Sequence, residues 1–104
     1  MMFYKIIYYK KVESTNNLLS KLVDGEKLND NLVLVADYQT NGKGQRGKKW
    51  HSTKNKNLLF SVCIKSNDYI NNQLVYFNII TSLSIVYTLR NYIKNAVINI
   101  KSPN

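Results

Sequence analysis

The chain has 104 residues, 44% of them hydrophobic, and a formal net charge of +9, which suits one small basic domain. Its single cysteine, Cys63, excludes an internal disulfide and fits a reducing compartment, so we expect a cytoplasmic protein. The apolar N-terminus is too short and too rich in tyrosine for a secretory signal. The apolar segment Leu74–Ile93 contains too many polar residues for a membrane span.

The first third of the chain predicts a strand, a helix and a second strand. Phe3–Tyr9 is β-branched and aromatic, which is typical of a strand. Glu13–Asn16 offers N-cap residues before an amphipathic run of leucines, so a short helix is predicted, ending at Gly25. The apolar run Leu32–Tyr38 predicts a buried strand.

The remainder predicts a long loop over Gln39–Asn57, a strand over Leu58–Ile64, a helix starting near Asn71 and a last strand over Ala96–Ile100. The helix is expected to turn one apolar stripe inward, made of Val75, Ile79, Leu83, Val86, Leu89 and Ile93. This order of elements predicts an α+β or α/β layout, with helices packed on a sheet. The edge of the last strand would be exposed.

The most informative segment is the basic glycine loop. Gly42, Gly44 and Gly47 alternate with the cations Lys43, Arg46, Lys48 and Lys49, and no acid follows Asp37 before Trp50. Glycine lets a backbone approach a ligand closely, and cations supply charge and donors for phosphate or carboxylate. The pattern matches neither the P-loop nor the dinucleotide-binding fingerprint. It predicts a loop that wraps an anionic small molecule.

Several residues near this loop leave alternatives open. Asp37 is either an ordinary strand-end carboxylate or a group that orients a loop cation. His51, the only histidine, indicates a surface residue rather than a metal ligand, so no metal site is expected. Cys63 lies in an apolar run and is expected to be a small buried hydrophobe.

Four segments together resemble a known family. VESTNNLL, ADYQTNGKGQRGKKWHS, NLLFSV and INIKSPN occur in the order and spacing of the catalytic domain of biotin protein ligases, over nearly the whole chain. The resemblance implies an α+β fold related to the class II aminoacyl-tRNA synthetase core, with a mixed sheet and packed helices. It also implies biotin and ATP as substrates, Mg²⁺ as the ion on ATP, and a biotin carboxyl carrier protein or domain of acetyl-CoA carboxylase as the partner.

The resemblance also assigns roles to individual residues. It implies a biotin site with hydroxyl and amide groups for the ureido ring, although Ser14 can equally be a plain helix cap. The implied biotin site comprises Ser14, Thr15, Asn16, Gln39, Lys43, Gly44, Gln45 and Lys101. The implied adenylate site comprises Gly42, Gly44, Gln45, Arg46, Gly47 and Trp50, where Trp50 is either a cover for adenine or a core anchor. Lys43, Arg46 and Lys101 are the implied catalytic cations, which offset the repulsion between the biotin carboxylate and the α-phosphate.

Three features depart from the family pattern. Gln45 stands where an arginine is common, and Ser102 stands where a tryptophan usually follows the lysine that Lys101 matches. The chain also stops at Asn104, before the aspartate of that motif, so we expect about half of a catalytic domain that cannot complete adenylation alone. No helix-turn-helix precedes Phe3, so DNA binding of the repressor type is not expected.

Two other functions compete with a biotin ligase. A small basic nucleic-acid-binding module is allowed by the charge and by Tyr8, Tyr9, Tyr38 and Trp50, although these aromatics do not share one strand face with the cations. A lipoate or other acyl ligase of the same fold is the second alternative, although its glycine motif differs. The oligomeric state stays open.

Overall fold

A computed structural model describes residues 4–24, 30–65 and 71–101. The elements are β1 (Tyr4–Val12), α1 (Thr15–Val23), β2 (Asn31–Gln39), β3 (Leu59–Cys63) and α2 (Leu74–Tyr92). The chain divides into two compact units, Met1–Lys65 and Ser66–Asn104. The α+β class predicted from the sequence is confirmed, since the described ranges contain a three-stranded mixed sheet together with the α-helices α1 and α2.

The first unit is a β-α-β unit extended by a third strand. β1 pairs in parallel with β2, and β2 pairs antiparallel with β3, so β2 is the central strand. Parallel neighbours need a crossover connection, and α1 supplies it. Three of the four predicted strands are therefore confirmed, although β1 reaches Val12 and the predicted start at Phe3 lies outside the described residues.

The core of this unit lies between α1 and one face of the sheet. Leu34 and Ala36, two positions apart on β2, share that face because strand side chains alternate. They are buried together with Leu19 of α1 and Val12 at the end of β1. Burial of each such aliphatic side chain stabilises the fold by about 2 kcal/mol. This small core fixes α1 against β2 and β3.

α1 starts where the sequence places its cap. Ser14 has an extended backbone (φ −155°, ψ 128°), and its Oγ accepts a hydrogen bond from the Asn17 N–H at 3.3 Å. The Leu18 N–H donates to the Ser14 carbonyl at 3.0 Å, which closes the first helical turn. The predicted end at Gly25 lies outside the described residues, and the helix runs to Val23.

The second unit contains α2, and here two predictions are wrong. The expected inward stripe is not buried, since Val75 and Leu83 are 72% and 55% exposed. Apolar residues surround the whole helix, so no single stripe is distinguished from the rest; Tyr76 and Ile80 on other faces are equally open. Hydroxyl groups of the helix donate to carbonyls four residues earlier, as Thr81 does to the Phe77 carbonyl at 2.8 Å.

The predicted strand over Ala96–Ile100 is also wrong. These residues have no strand pairing, although their β-branched composition favours one. A strand is stabilised by a neighbouring strand rather than by its own sequence, and none pairs with this segment in the part of the chain described here. Within the second unit, this segment is contacted by Arg90, whose guanidinium donates a hydrogen bond to the Ile98 carbonyl at 3.3 Å.

No helix within residues 4–24, 30–65 or 71–101 has the length and apolar character needed to cross a lipid bilayer.

Candidate functional site

The start of α1 buries two hydroxyl side chains. Ser14 and Thr15 are 3% and 4% exposed, which is unusual for polar residues at a helix terminus. Ser14 is occupied as the helix cap. Thr15 points instead into the gap between the helix and the sheet, where it meets two residues from different strands. Asn16, the third residue of the predicted trio, is exposed.

Thr15, Gln39 and Ser61 form a connected polar cluster. The Thr15 backbone N–H donates to Gln39 Oε1 at 2.7 Å, and the Thr15 hydroxyl lies 3.0 Å from the same oxygen. The Thr15 hydroxyl also lies 2.8 Å from Ser61 Oγ on β3. These bonds satisfy polar groups that would otherwise cost free energy to bury. The polar cluster thus ties α1, the end of β2 and the middle of β3 together.

Ser61 is a member of this cluster that the sequence analysis missed. Its signal was present in the NLLFSV segment, where it is the single hydroxyl among apolar residues of a short strand. It is opposite Leu34 of β2 in the sheet register, on the face that α1 covers. The sequence pattern identifies a polar residue in a strand, but the 46-residue separation from Thr15 hides the contact.

The glycine loop is rooted beside the start of α1. After β2 ends at Gln39, the Thr40 N–H donates to the Val12 carbonyl at 2.9 Å and the Asn41 N–H donates to the Glu13 carbonyl at 2.8 Å. These two bonds continue the β1–β2 pairing past the strand ends. The loop therefore begins next to the segment that holds Ser14 and Thr15.

Gly42 is buried at this root, and the space around it excludes a side chain. A Cβ at this position would lie 2.5 Å from the Trp50 carbonyl oxygen and 3.0 Å from Gln39 Nε2. The Trp50 N–H donates to the Gly42 carbonyl at 2.8 Å, which brings the two ends of the loop together. Glycine is thus required here by close approach to the Trp50 backbone, whereas the sequence pattern predicted close approach to a ligand.

Residues Gly42–Trp50 fold as a small antiparallel hairpin, which we call the basic hairpin. Lys43 and Lys49 are bridge partners, and the Gly44 N–H donates to the Lys48 carbonyl at 2.7 Å. The tip is a short turn over Gln45–Gly47. The sequence predicted a wrapping loop without this internal pairing, because the pairing depends on hydrogen bonds between residues with no strand-like pattern.

The tip of the basic hairpin holds two consecutive left-handed residues. Arg46 has φ 55° and ψ 43°, and Gly47 has φ 76°. The Lys48 N–H closes the turn on the Gln45 carbonyl at 3.1 Å. Gly47 adopts this conformation without strain, whereas an arginine there costs roughly 1 kcal/mol. An arginine retained in such a conformation is a feature that recurs at functional sites.

The charge on the basic hairpin is uncompensated. Its four cations, Lys43, Arg46, Lys48 and Lys49, are all exposed, and no ion pair involves them in the part of the chain that the structure describes. Lys43 and Lys49 are directly opposite each other, an arrangement that repels. An anion placed between them would relieve that repulsion.

Asp37 does not orient a loop cation. Asp37 lies two residues before the end of β2. Its carboxylate accepts a hydrogen bond from the Tyr8 hydroxyl on β1. That bond raises the pKa of Tyr8 above its ordinary value, and desolvation and the negative charge of Asp37 act in the same direction. The acid nearest to the loop in sequence is thereby held on the sheet, away from the role of counter-ion to the basic hairpin.

The other predicted residues are placed as follows. Trp50 is 64% exposed, so the core-anchor interpretation is wrong and its indole is available to a ligand. Lys101 is exposed and belongs to the second unit, whereas the remaining predicted site residues belong to the first. Ser102 lies outside the described residues. His51 is exposed, as expected, and Cys63 is half-buried rather than fully buried.

A shallow cleft of about 250 Å³ adjoins the start of α1. It is lined by Tyr9, Lys11, Val12, Glu13, Ser14, Asn17, Leu18 and Lys21. Ser14 is the one residue that this lining shares with the predicted site. The cleft therefore runs along the helix and the end of β1, and its lining includes neither the polar cluster nor the basic hairpin.

Comparison with known protein families gives one match. The model of the biotin/lipoate A/B protein ligase family matches residues 8–104. The matched range includes the start of α1, the polar cluster and the basic hairpin.

Proposed function

Because the chain belongs to the biotin/lipoate A/B protein ligase family, we propose that it is a biotin–protein ligase or the N-terminal part of one. In this proposal the biotin carboxylate attacks the α-phosphorus of ATP and pyrophosphate leaves, which gives biotinyl-AMP. The amine of an acceptor lysine then attacks the acyl carbon and AMP leaves. The acceptor is a biotin carboxyl carrier protein or domain, and the complete fold is of the class II synthetase-like type.

The proposal rests on one observation. The polar cluster adjoins the root of the basic hairpin, whose cations have no counter-ion among the described residues. Biotin has a ureido ring at one end and a carboxylate at the other. The ring needs hydrogen-bonding groups of both kinds, which the cluster offers through Thr15, Gln39 and Ser61. The carboxylate and the α-phosphate both need cations, which Lys43 and Arg46 of the basic hairpin offer.

The same observation favours biotin over lipoate. The dithiolane ring of lipoate has no strong hydrogen-bond donor or acceptor, so it would cover the N–H donors of Gln39 Nε2, which bond to nothing within the cluster, without pairing them. A site built to bond a polar ring rejects an analogue without those polar groups strongly. Membership of a ligase family also favours either acyl ligase over the small nucleic-acid-binding module.

In this proposal, each residue has a role that follows from its position in the site. Ser14 caps α1 and fixes Thr15, while Gly42 brings the root of the basic hairpin against Gln39. Gly44, Gln45 and Gly47 shape the hairpin that we propose to cover the adenylate, with Asn16 and Trp50 as exposed contacts. A cover of this kind protects the mixed anhydride from water.

Mg²⁺ supplies charge neutralisation of the polyphosphate when it is bound with ATP. Within the described ranges, no three His, Cys, Asp or Glu side chains lie together. We propose that Mg²⁺ arrives with the nucleotide, because this ion is usually held by substrate phosphates and waters with few protein ligands.

The test is isothermal titration calorimetry of the 104-residue chain with biotin and with lipoate, each with and without a non-hydrolysable ATP analogue. We expect biotin to bind at least tenfold more tightly than lipoate. Thr15→Val removes the hydroxyl and keeps the shape, so it is expected to weaken biotin binding about tenfold, because one buried hydrogen bond is worth about 1.4 kcal/mol. Equal or tighter binding of lipoate would assign the chain to the lipoate side of the family.

A further inference from the structure

Only one set of directions allows all three contacts of the polar cluster to be hydrogen bonds. The Thr15 backbone N–H lies 2.7 Å from the Gln39 amide and can only donate, so the atom it meets is the amide oxygen. The Thr15 hydroxyl lies 3.0 Å from that same oxygen, which accepts and cannot donate. The Thr15 hydroxyl therefore donates its single proton to Gln39 Oε1.

This direction determines the role of Ser61. The Thr15 and Ser61 hydroxyls lie 2.8 Å apart, and one of them must donate. The Thr15 proton is already committed, so Ser61 donates and Thr15 accepts. A serine hydroxyl has one proton and two lone pairs. The only proton of the Ser61 hydroxyl is therefore donated to Thr15. Toward any further group, Ser61 Oγ can only accept a hydrogen bond.

The other end of the cluster has the opposite character. Gln39 accepts both Thr15 hydrogen bonds through its oxygen, which leaves its Nε2 with two N–H donors. Nε2 lies toward Gly42 at the root of the basic hairpin, and no hydrogen bond to it is formed within the described residues. Ser61 and Gln39 are both half-buried, so part of each residue remains accessible to a ligand. The cluster thus has an acceptor at one end and donors at the other.

A cyclic urea has the complementary pattern, with an N–H donor bonded to the carbon that carries the carbonyl acceptor. We propose that Ser61 Oγ accepts a hydrogen bond from a ring N–H of the bound ligand, and that it is a specificity-determining residue for a urea-containing ring over a dithiolane. This inference rests on the proposed function, and it assigns to Ser61 a ligand contact that the family resemblance does not. Gln39 Nε2 serves the ring carbonyl in the same arrangement.

The experiment compares three proteins with four ligands by calorimetry. The proteins are the parent chain, Ser61→Ala and Ser61→Thr, which keeps the hydroxyl. The ligands are biotin, biotin derivatives methylated at either ureido nitrogen, and lipoate. We expect Ser61→Ala to weaken biotin binding about tenfold and to leave any lipoate binding within twofold, while Ser61→Thr stays within threefold of the parent.

The methylated ligands test the same hydrogen bond by removing the N–H donor from the ligand. One of the two derivatives is expected to bind about tenfold more weakly than biotin to the parent, and nearly as well as biotin to Ser61→Ala. Circular dichroism checks that Ser61→Ala is folded. If it is not, the methylated derivatives decide on the parent and Ser61→Thr, where equal binding of biotin and both derivatives overturns the inference.

Other results separate this inference from the proposed function. If the parent binds biotin but Ser61→Ala binds it equally well, the ligand contact of Ser61 is wrong and the proposed function stands. An equal loss of biotin and lipoate in Ser61→Ala makes Ser61 a structural residue and overturns the specificity role. Failure of the parent to bind biotin overturns both.

Discussion

The polar cluster and the basic hairpin adjoin each other in the first unit, but their energetics are opposite. In the cluster, Thr15 is buried and both its backbone and its side chain are hydrogen-bonded, so it is fixed by its surroundings. In the hairpin, Lys43 and Lys49 repel across the two strands, and Arg46 has a backbone conformation that favours glycine.

This contrast separates two tasks of one site. A satisfied, buried network holds its groups in one geometry, which is what recognition of a ligand ring requires. An exposed and self-repelling set of cations gains most when an anion arrives, which is what a charged reaction centre requires. Gly42 joins the two regions, because its backbone lies against both Gln39 and Trp50.

The largest expected effect comes from breaking this junction. Gly42→Ala places a methyl group 2.5 Å from the Trp50 carbonyl oxygen, a backbone atom that can move only if the hairpin opens. We expect a loss of about 3 kcal/mol in the free energy of unfolding and at least a hundredfold loss of biotin affinity. Urea denaturation and calorimetry measure the two quantities.

Gly44→Ala is the matched control, because a Cβ there meets Lys48 atoms no closer than 3.5 Å, an ordinary contact. It is expected to change the free energy of unfolding little. Equal damage from the two substitutions would show that Gly42 has no special place in the site.

The sequence was sufficient for elements that local pattern determines. Ser14 as the cap of α1, and the strands on either side, follow from residue type and alternation. These features depend on a few neighbouring residues, so one sequence contains enough information to predict them.

Features that depend on distant partners were missed. The pairing of Thr15 with Ser61 joins residues 46 positions apart, and nothing local to either predicts it. The internal pairing of the basic hairpin was missed because Arg46 adopts a left-handed conformation that its residue type disfavours. The strand expected over Ala96–Ile100 failed for the converse reason, since favourable composition without a partner strand does not make a sheet.

A charge reversal tests the hairpin side of the comparison with a smaller expected effect. Lys49→Glu replaces the repulsion from Lys43 with a cross-strand attraction, so the ligand-free protein is expected to be more stable by roughly 0.5 kcal/mol. The same change removes a cation from the proposed adenylate cover, so binding of an ATP analogue is expected to weaken. Urea denaturation and calorimetry again provide the measurements.

Lys48→Glu is the control for that reversal. It changes the net charge equally at the adjacent position, but neighbouring strand residues point to opposite faces, so it does not meet Lys43. We expect no gain in stability from Lys48→Glu. If both variants are stabilised alike, the net charge of the protein is responsible, and the local repulsion between Lys43 and Lys49 is not.

The smallest expected effect concerns the acid that stays out of the hairpin. The Tyr8 hydroxyl donates to Asp37, and this bond, with desolvation and the carboxylate charge, raises the pKa of Tyr8. A group whose folded pKa is raised stabilises the fold below its unfolded pKa, about 10 for tyrosine, and that stabilisation is lost as the pH rises through the folded value. Spectrophotometric titration near 295 nm should therefore show one tyrosine ionising above the others, absent in Tyr8→Phe and shifted downward in Asp37→Asn, which removes the charge. If the phenol lost in Tyr8→Phe ionises at the ordinary value of about 10 and is not shifted in Asp37→Asn, then Asp37 is not held by Tyr8. The carboxylate would then be free to neutralise the hairpin cations, whose lack of a counter-ion distinguishes the two regions.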